Sequence, residues 1–196
     1  MHPVLERMSA SLRAAPGRAV PVDGDAPRAA VALAFRTDRG EPELLFIRRA
    51  EREDDPWSGQ VALPGGRWSP GDASLQATAF RETLEETGLD LGSLGTVLGV
   101  LDDLRPLTAI LPPIIVTPFV ATLVTPTALR LSHEVAGTFW VPWSAITDPA
   151  LARESEVHTR GATWRTPSFV FGEHVVWGMT ERILRQLIGR ASSGSG

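Results

Sequence analysis

The sequence predicts an α/β (α+β) protein in which one mixed β-sheet is sandwiched between α-helices. Three observations predict it. Two apolar, strand-like runs joined by a polar turn open the main part of the chain, and a long helical stretch closed by a glycine follows them. A second series of strand-like runs then ends in an amphipathic helix. Strands, helix, strands, helix is the order expected of a sheet covered on both faces. With 196 residues, 43% apolar and 21% charged, the chain has material for one good-sized core.

Residues 4–14 carry Val4, Leu5, Met8 and Leu12 near helical spacing and predict a short helix. Residues 16–27, rich in Pro, Gly and Asp, read as a surface connection. Strands are predicted over 29–36 and 43–49 with a turn between them, and a third over 61–63, cut short by Pro64-Gly65-Gly66. Helical spacing covers 72–87, with Asp72 suited to the N-cap and Gly88 to a left-handed C-terminal position. Further strands are predicted over 95–101, 113–123, 128–131 and 137–141, and Pro118 suggests an edge position or a bulge in the second of these. A short helix over 143–151 and a last strand over 164–171 follow. A terminal helix spans 176–188, with Trp177, Ile183, Leu184 and Leu187 available for burial. The expected organisation is an N-terminal helix and connection (1–27), a single domain (28–190) and a small, polar, disordered tail (191–196).

Missing residue types narrow the chemistry. Without cysteine there are no disulfides, thiolate metal sites or cysteine nucleophiles. All the basic charge is arginine, so a lysine-dependent phosphate loop and Schiff-base chemistry are absent, and any side-chain cation that holds phosphate does so as a planar guanidinium fork. No Gly-x-Ser-x-Gly elbow is present. A net charge of −4 argues against nucleic acid as a partner. No apolar run approaches the roughly 20 residues that cross a bilayer, and residues 2–18 lack the apolar centre of a signal peptide. A cytoplasmic protein with a small-molecule substrate is expected.

The chemistry concentrates in Arg81-Glu82-Thr83-Leu84-Glu85-Glu86-Thr87-Gly88-Leu89. At about 100° per residue, Glu82, Glu85 and Glu86 project from one helix face, while Ala73, Ala77, Phe80 and Leu84 fall on the opposite side as a packing stripe. Like charges at i, i+4 repel by a few tenths of a kcal/mol, and Arg81 alone does not neutralise three carboxylates. An oxygen-rich cluster of this kind is what Mg2+ or Mn2+ seeks. Such an ion would bridge to phosphate oxygens and acidify water beside it. Upstream, Pro64-Gly65-Gly66 lets backbone approach a ligand closely and leaves a carbonyl for a metal.

Residues 66–89 resemble the signature box of the Nudix hydrolases: Gly, five residues, Glu, seven residues, Arg-Glu, apolar, any, Glu-Glu, any, Gly, apolar. Arg81, Glu82, Glu85, Glu86, Gly88 and Leu89 match in place. The first glutamate of the pattern falls on Ala73, whereas Asp72 stands one residue earlier and fits if one residue has been inserted. Thr83 occupies a position that is usually apolar. The resemblance implies diphosphate hydrolysis, with Glu85 and Glu86 as principal metal ligands and Glu82 as a further ligand or base. A carbonyl of Gly65 or Gly66 would join them, and Arg81 would orient Glu82. It also implies a general base that often lies outside the box, for which Asp102, Asp103 and Glu134 are candidates.

Residues 44–50, 59–66 and 176–180 further resemble the coenzyme A pyrophosphatase branch of that family. The branch carries an arginine where Asp55 stands here, and Arg52 is positioned to substitute for it. Arg48 and Arg49 face opposite sides of one strand. Arg49 aligns with the branch's arginine and is, with Arg52 and Gly65, the candidate substrate-binding group. Trp57 and Trp68 flank the site as stacking or packing aromatics, and Trp140 reads as a core residue. The expected substrate is a nucleoside diphosphate derivative, coenzyme A first. The alternatives are ADP-ribose or a nucleotide sugar, or a catalytically silent ligand-binding module of the same fold. Homodimerisation, common in the family, would use the N-terminal segment or a sheet edge.

Overall fold

The computed structural model describes residues 1–21, 26–52, 57–107, 113–123, 128–159 and 162–192. Helix α1 (Pro3–Ala14) precedes strands β1 (Arg28–Arg36), β2 (Glu43–Arg49), β3 (Val61–Ala62) and β4 (Gly65–Arg67). Helices α2 (Leu75–Thr87) and α3 (Leu91–Leu94) lead into β5 (Gly95–Val100), β6 (Ile115–Leu123) and β7 (Val135–Pro142). Helix α4 (Trp143–Ile146), strands β8 (Ala152–Thr159), β9 (Ala162–Phe171) and β10 (His174–Trp177), and helix α5 (Gly178–Ser192) complete the chain.

Among the described residues, β1 to β7 form a seven-stranded mixed sheet and β8 to β10 a three-stranded antiparallel one. Strand β1 is the centre. It runs parallel to β6 on one side, and on the other pairs antiparallel with β4 at its start and with β2 at its end. Its side chains alternate as a two-faced strand requires. Leu33 and Phe35 enter the main core with Leu5, Met8 and Leu12 of α1 and Ile183, Leu184 and Leu187 of α5, whereas Ala30, Ala32 and Ala34 face α2. The expected sheet between helices is the fold observed.

Several local expectations are corrected. Residues 128–131 form no strand: the Arg130 and Ser132 amides donate to the Thr87 and Glu86 carbonyls at 2.7 and 3.0 Å. They thereby satisfy carbonyls that the last turn of α2 leaves unpaired. Residues 164–171 belong to the middle of three strands, not to a last one. Strand β8 escaped detection because Arg153, Glu154, Glu156 and His158 are exposed and leave no apolar alternation. Val176 and Trp177 pair with Phe169 and Ser168 in β10, so the terminal helix begins only at Gly178. The single helix expected over 143–151 is α4 followed by a separate 3-10 turn at Pro149–Leu151. Ala191 and Ser192 are helical, and the rest of the expected tail lies outside the described residues. Pro118 sits in an inner strand: its carbonyl accepts the Leu101 amide at 3.0 Å, but it has no amide to return, and the ladder to β5 stops at Phe119. A register shift does occur opposite, between Val97 and Gly99 of β5.

The segment between α1 and β1 is tied down by two neighbouring aspartates. Asp102 Oδ1 accepts from the Arg18 amide at 2.9 Å and from Arg190 at 3.2 Å. Asp103, its side chain 3% exposed, accepts from the Val20 amide at 3.0 Å, Arg28 at 2.8 Å and Thr117 Oγ1 at 2.5 Å. Removing this carboxylate strands a mostly buried guanidinium and a backbone donor. Asp103→Ala is therefore expected to lower the unfolding free energy by about 3 kcal/mol in urea denaturation at neutral pH. A loss as small as that of an exposed ion pair, under about 1 kcal/mol, contradicts this reading.

Candidate active site

The site grows from the close approach of α2 to the sheet. Ala79 of the helix meets Ala30, Ala32 and Ala34 of β1, and all four are fully buried. Small side chains on both surfaces bring the backbones together. Gly65 and Gly66 of β4 lie beneath the same helix. Gly65 has a φ of 150°, and a Cβ there would meet the Ala30 carbonyl at 2.3 Å. A Cβ on Gly66 would lie 2.4 Å from the carboxyl carbon of Glu82. The two glycines are required by that proximity.

Helix α2 is capped differently from expectation. Ser74 is the N-cap, its Oγ accepting from the Ala77 amide at 3.1 Å. Asp72 lies before the helix and grips Arg81, accepting from Nε at 2.8 Å and Nη2 at 3.0 Å. The same carboxylate takes Thr78 Oγ1 at 2.9 Å and the Ser69 amide at 3.0 Å. Four donors, two of them charged, outweigh the single amide of a cap position. The Arg81 hydrogen bonds hold the Asp72 carboxyl well below the usual carboxylate range and keep Arg81 firmly protonated. Helix α2 ends as expected, with Gly88 in the left-handed conformation.

The expected packing stripe of Ala73, Ala77, Phe80 and Leu84 is not the buried side. Leu84 is 45% exposed, and α2 instead buries Thr78, Ala79, Thr83, Glu86 and Thr87. Threonines suit this face because their hydroxyls bond within the helix: Thr83 donates to the Ala79 carbonyl at 2.7 Å and Thr87 to the Thr83 carbonyl at 2.6 Å. Thr83, a departure from the box by sequence, is thus a core residue with its donor satisfied.

The three glutamates therefore lie at three depths. Glu85 is exposed, Glu82 is partly buried, and Glu86 is 3% exposed. Arg81 reaches Glu82 at 2.9 Å and Glu85 at 3.2 Å. Glu86 accepts the Gly65 amide at 2.9 Å. Burial raises the Glu86 carboxyl to about 7, against the pull of the Gly65 amide and the Arg49 charge. Burial likewise raises Glu82, partly offset by Arg81. Among the described residues, no three acidic or histidine side chains already converge on one point. The donor set of carboxylates and glycine carbonyls is nonetheless all oxygen, which suits a hard divalent ion. Glu86 is 3% exposed and accepts the Gly65 amide, so a charge there is poorly solvated. These residues fit such an ion.

Of the candidate bases, the structure brings Glu134 to this cluster and leaves Asp102 and Asp103 in the anchor of the N-terminal segment. The Glu134 charge raises both Glu82 and Glu86, and its carboxylate pairs with Arg52 at 3.0 Å. Arg48 is exposed, whereas Arg49 is half-buried and its charge acts on Glu86. Trp68 is 46% exposed with its indole N–H on the Asp72 carbonyl at 3.2 Å. Trp140 lies under the Arg36 guanidinium, 4.2 Å from the ring centre. Asp55 lies outside the described residues. Sequence reading missed the positioning groups Ser74 and Thr78 and the backbone of 130–132. Thr83 and Thr87 at i and i+4 were the available signal for the buried side.

A family model described as the NUDIX domain matches residues 26–161. The chain is 33% identical over 157 residues to the uncharacterized Nudix hydrolase NudL of Yersinia pestis (strain Pestoides F), covering 79% of this chain and 75% of that one. NudL of Yersinia pseudotuberculosis serotype O:1b matches equally. Among solved structures, a MutT/nudix family protein from Enterococcus faecalis has a TM-score of 0.59 at 15% identity, over 98% of this chain and 76% of that one. The NUDIX domain of Shewanella oneidensis NrtR, solved with ADP ribose, has a TM-score of 0.50 at 19% identity, over 70% of this chain and 84% of that one. The chain belongs to the Nudix hydrolase family. With the family comes the reaction class, pyrophosphohydrolysis.

Glu86 carries a consequence for stability. Its folded-state pKa of about 7 lies above the free-glutamate 4.5, so the folded protein holds a proton that the unfolded chain has released between those values. This contribution is fully present below the lower value and is lost as pH rises through the upper one. Glu86→Gln keeps an acceptor for the Gly65 amide without the charge. In chelator, the variant is expected to exceed the parent in unfolding free energy by about 2–3 kcal/mol near about pH 8, and to match it near about pH 4. Equal stability at both pH values in parallel denaturant titrations contradicts the assignment.

Proposed function

We propose that this chain is a divalent-metal-dependent hydrolase that cleaves the P–O–P linkage of a nucleoside diphosphate derivative, with a coenzyme A-type substrate favoured. One observation carries the reading: α2 lays Glu82 and Glu86 directly over the Gly65-Gly66 turn, within hydrogen-bond distance at Gly65 and with no room for a Cβ at Gly66. Glu82, Glu85 and Glu86, with the Gly66 carbonyl, would hold Mg2+ or Mn2+. When bound, that ion neutralises carboxylate and diphosphate charge together and acidifies water beside it.

The protein's own groups divide the remaining work. Asp72 occupies the Arg81 fork, so Arg81 orients Glu82 and Glu85 and is not a substrate ligand. Arg49 and Arg52 are the phosphate-binding groups. Gly65 contributes closeness of backbone, since its amide is engaged by Glu86. Glu134 is the general base, because Asp102 and Asp103 are each committed to the N-terminal anchor. The preference for coenzyme A rests on the resemblance over 44–50, 59–66 and 176–180. ADP-ribose, which accompanies the NrtR domain, stands second.

Glu86→Gln is expected to lower kcat by at least about a thousandfold while the circular dichroism spectrum and denaturation midpoint remain those of a folded protein. A fully active variant would falsify the proposal. The substrate is read from a panel of diphosphate compounds with Mg2+ or Mn2+, products resolved by mass. Phosphopantetheine and adenosine bisphosphate establish coenzyme A, and AMP with ribose phosphate moves the assignment to ADP-ribose.

A further inference from the structure

One ion pair beside the glutamates lies outside the box and has a use of its own. Arg52 meets Glu134 at 3.0 Å, both side chains about half exposed. Both backbones are held by further hydrogen bonds. The Arg52 amide donates to Ser58 Oγ at 2.7 Å. The Glu134 carbonyl takes the Ala50 amide at 2.8 Å, and the Glu134 amide donates to Ser132 Oγ at 3.2 Å. Ser132 in turn donates to the Glu86 carbonyl at 3.0 Å, which fixes this loop to the end of α2. The Glu134 backbone is therefore fixed beside the end of α2, near enough for its charge to act on Glu82 and Glu86.

An exposed pair of this kind contributes little to stability and is readily exchanged. A diphosphate offers a guanidinium a stronger, two-pronged acceptor than one glutamate does. Arg81 is already divided between Asp72, Glu82 and Glu85, and the Arg49 charge acts on Glu86. Among the described residues, Arg52 pairs with the Glu134 carboxylate.

We propose that Arg52 is exchanged by the substrate: it pairs with Glu134 until a diphosphate arrives and then moves to the diphosphate, releasing the Glu134 carboxylate toward the attacking water. The inference rests on the proposed function above and adds an order of events to it. Water oxygen then bonds to phosphorus while Glu134 takes the water proton. The bridging P–O bond breaks, and its electron pair leaves with the departing phosphate. Competition between carboxylate and diphosphate for one guanidinium makes affinity and turnover move in opposite directions when Glu134 is neutralised.

The test is a double-mutant cycle on the intact protein with Mg2+, titrating methylenediphosphonate, an uncleavable diphosphate, by calorimetry. Glu134→Gln is expected to bind this probe about fivefold tighter, and Arg52→Gln about tenfold weaker. With Arg52→Gln already in place, Glu134→Gln is expected to change affinity by less than about twofold. In turnover of the panel substrate, Glu134→Gln is expected to lose about a hundredfold in kcat with a lower KM. Equal tightening by Glu134→Gln in both backgrounds means simple charge repulsion and overturns the exchange. Undiminished kcat overturns the proton-accepting role. Glu86→Gln separates this outcome from failure of the broader reading: if that variant is inactive while the cycle is additive, only the exchange is wrong.

Discussion

The Glu86 carboxylate sits under the end of α2 with the Gly65 amide against one oxygen and almost no water around it. A charge in that position is costly, and one backbone amide does not compensate it, which is why the group retains its proton up to about 7. Much of the surrounding structure follows from keeping this carboxylate where it is. The alanines of β1 let the helix descend, and the paired glycines of β4 leave no side chain between helix and strand. Threonines line the rest of the buried face because their hydroxyls find partners within the helix.

Around that point the charges are arranged in a gradient from buried to exposed. Glu82 shares Arg81 with Glu85, and Asp72 fixes the guanidinium from behind. The displaced aspartate thus orders the cluster, although it stands one residue from the place the family pattern gives to a glutamate. The loop over 130–134 completes the surround by satisfying the last carbonyls of α2 and carrying Glu134 to the same region. The burial of Glu86 and the oxygen-rich surround both support the proposed divalent ion and diphosphate.

The sheet, the helix with three glutamates and the glycine turn were all legible because each rests on local chemistry: alternation, a 3.6-residue period and glycine's backbone freedom. What stayed hidden depended on tertiary partners. Asp72 looked like a cap because a short acid before a helix usually is one, and only the folded chain puts Arg81 within its reach. Leu84 looked like core because apolar residues usually are, yet Thr83 and Thr87 occupy that side. Residues 128–131 read as a strand from composition, while their amides are consumed by α2. Strand β8 carries too many exposed charges to show a pattern. The choice of Glu134 over Asp102 and Asp103 needed the anchor of the N-terminal segment, which no spacing in the sequence reveals.

The role proposed for Glu86 is that of a buried carboxyl, its proton affinity raised by burial, that exchanges its proton for a divalent ion. Calorimetric titration of the protein with Mn2+ near about pH 6.5, in two buffers of different ionisation enthalpy, measures the protons released per ion bound. The expected result is saturable binding with release of between about half and one proton, abolished in Glu86→Gln. Mn2+ binding without proton release, or release that persists in that variant, would contradict it.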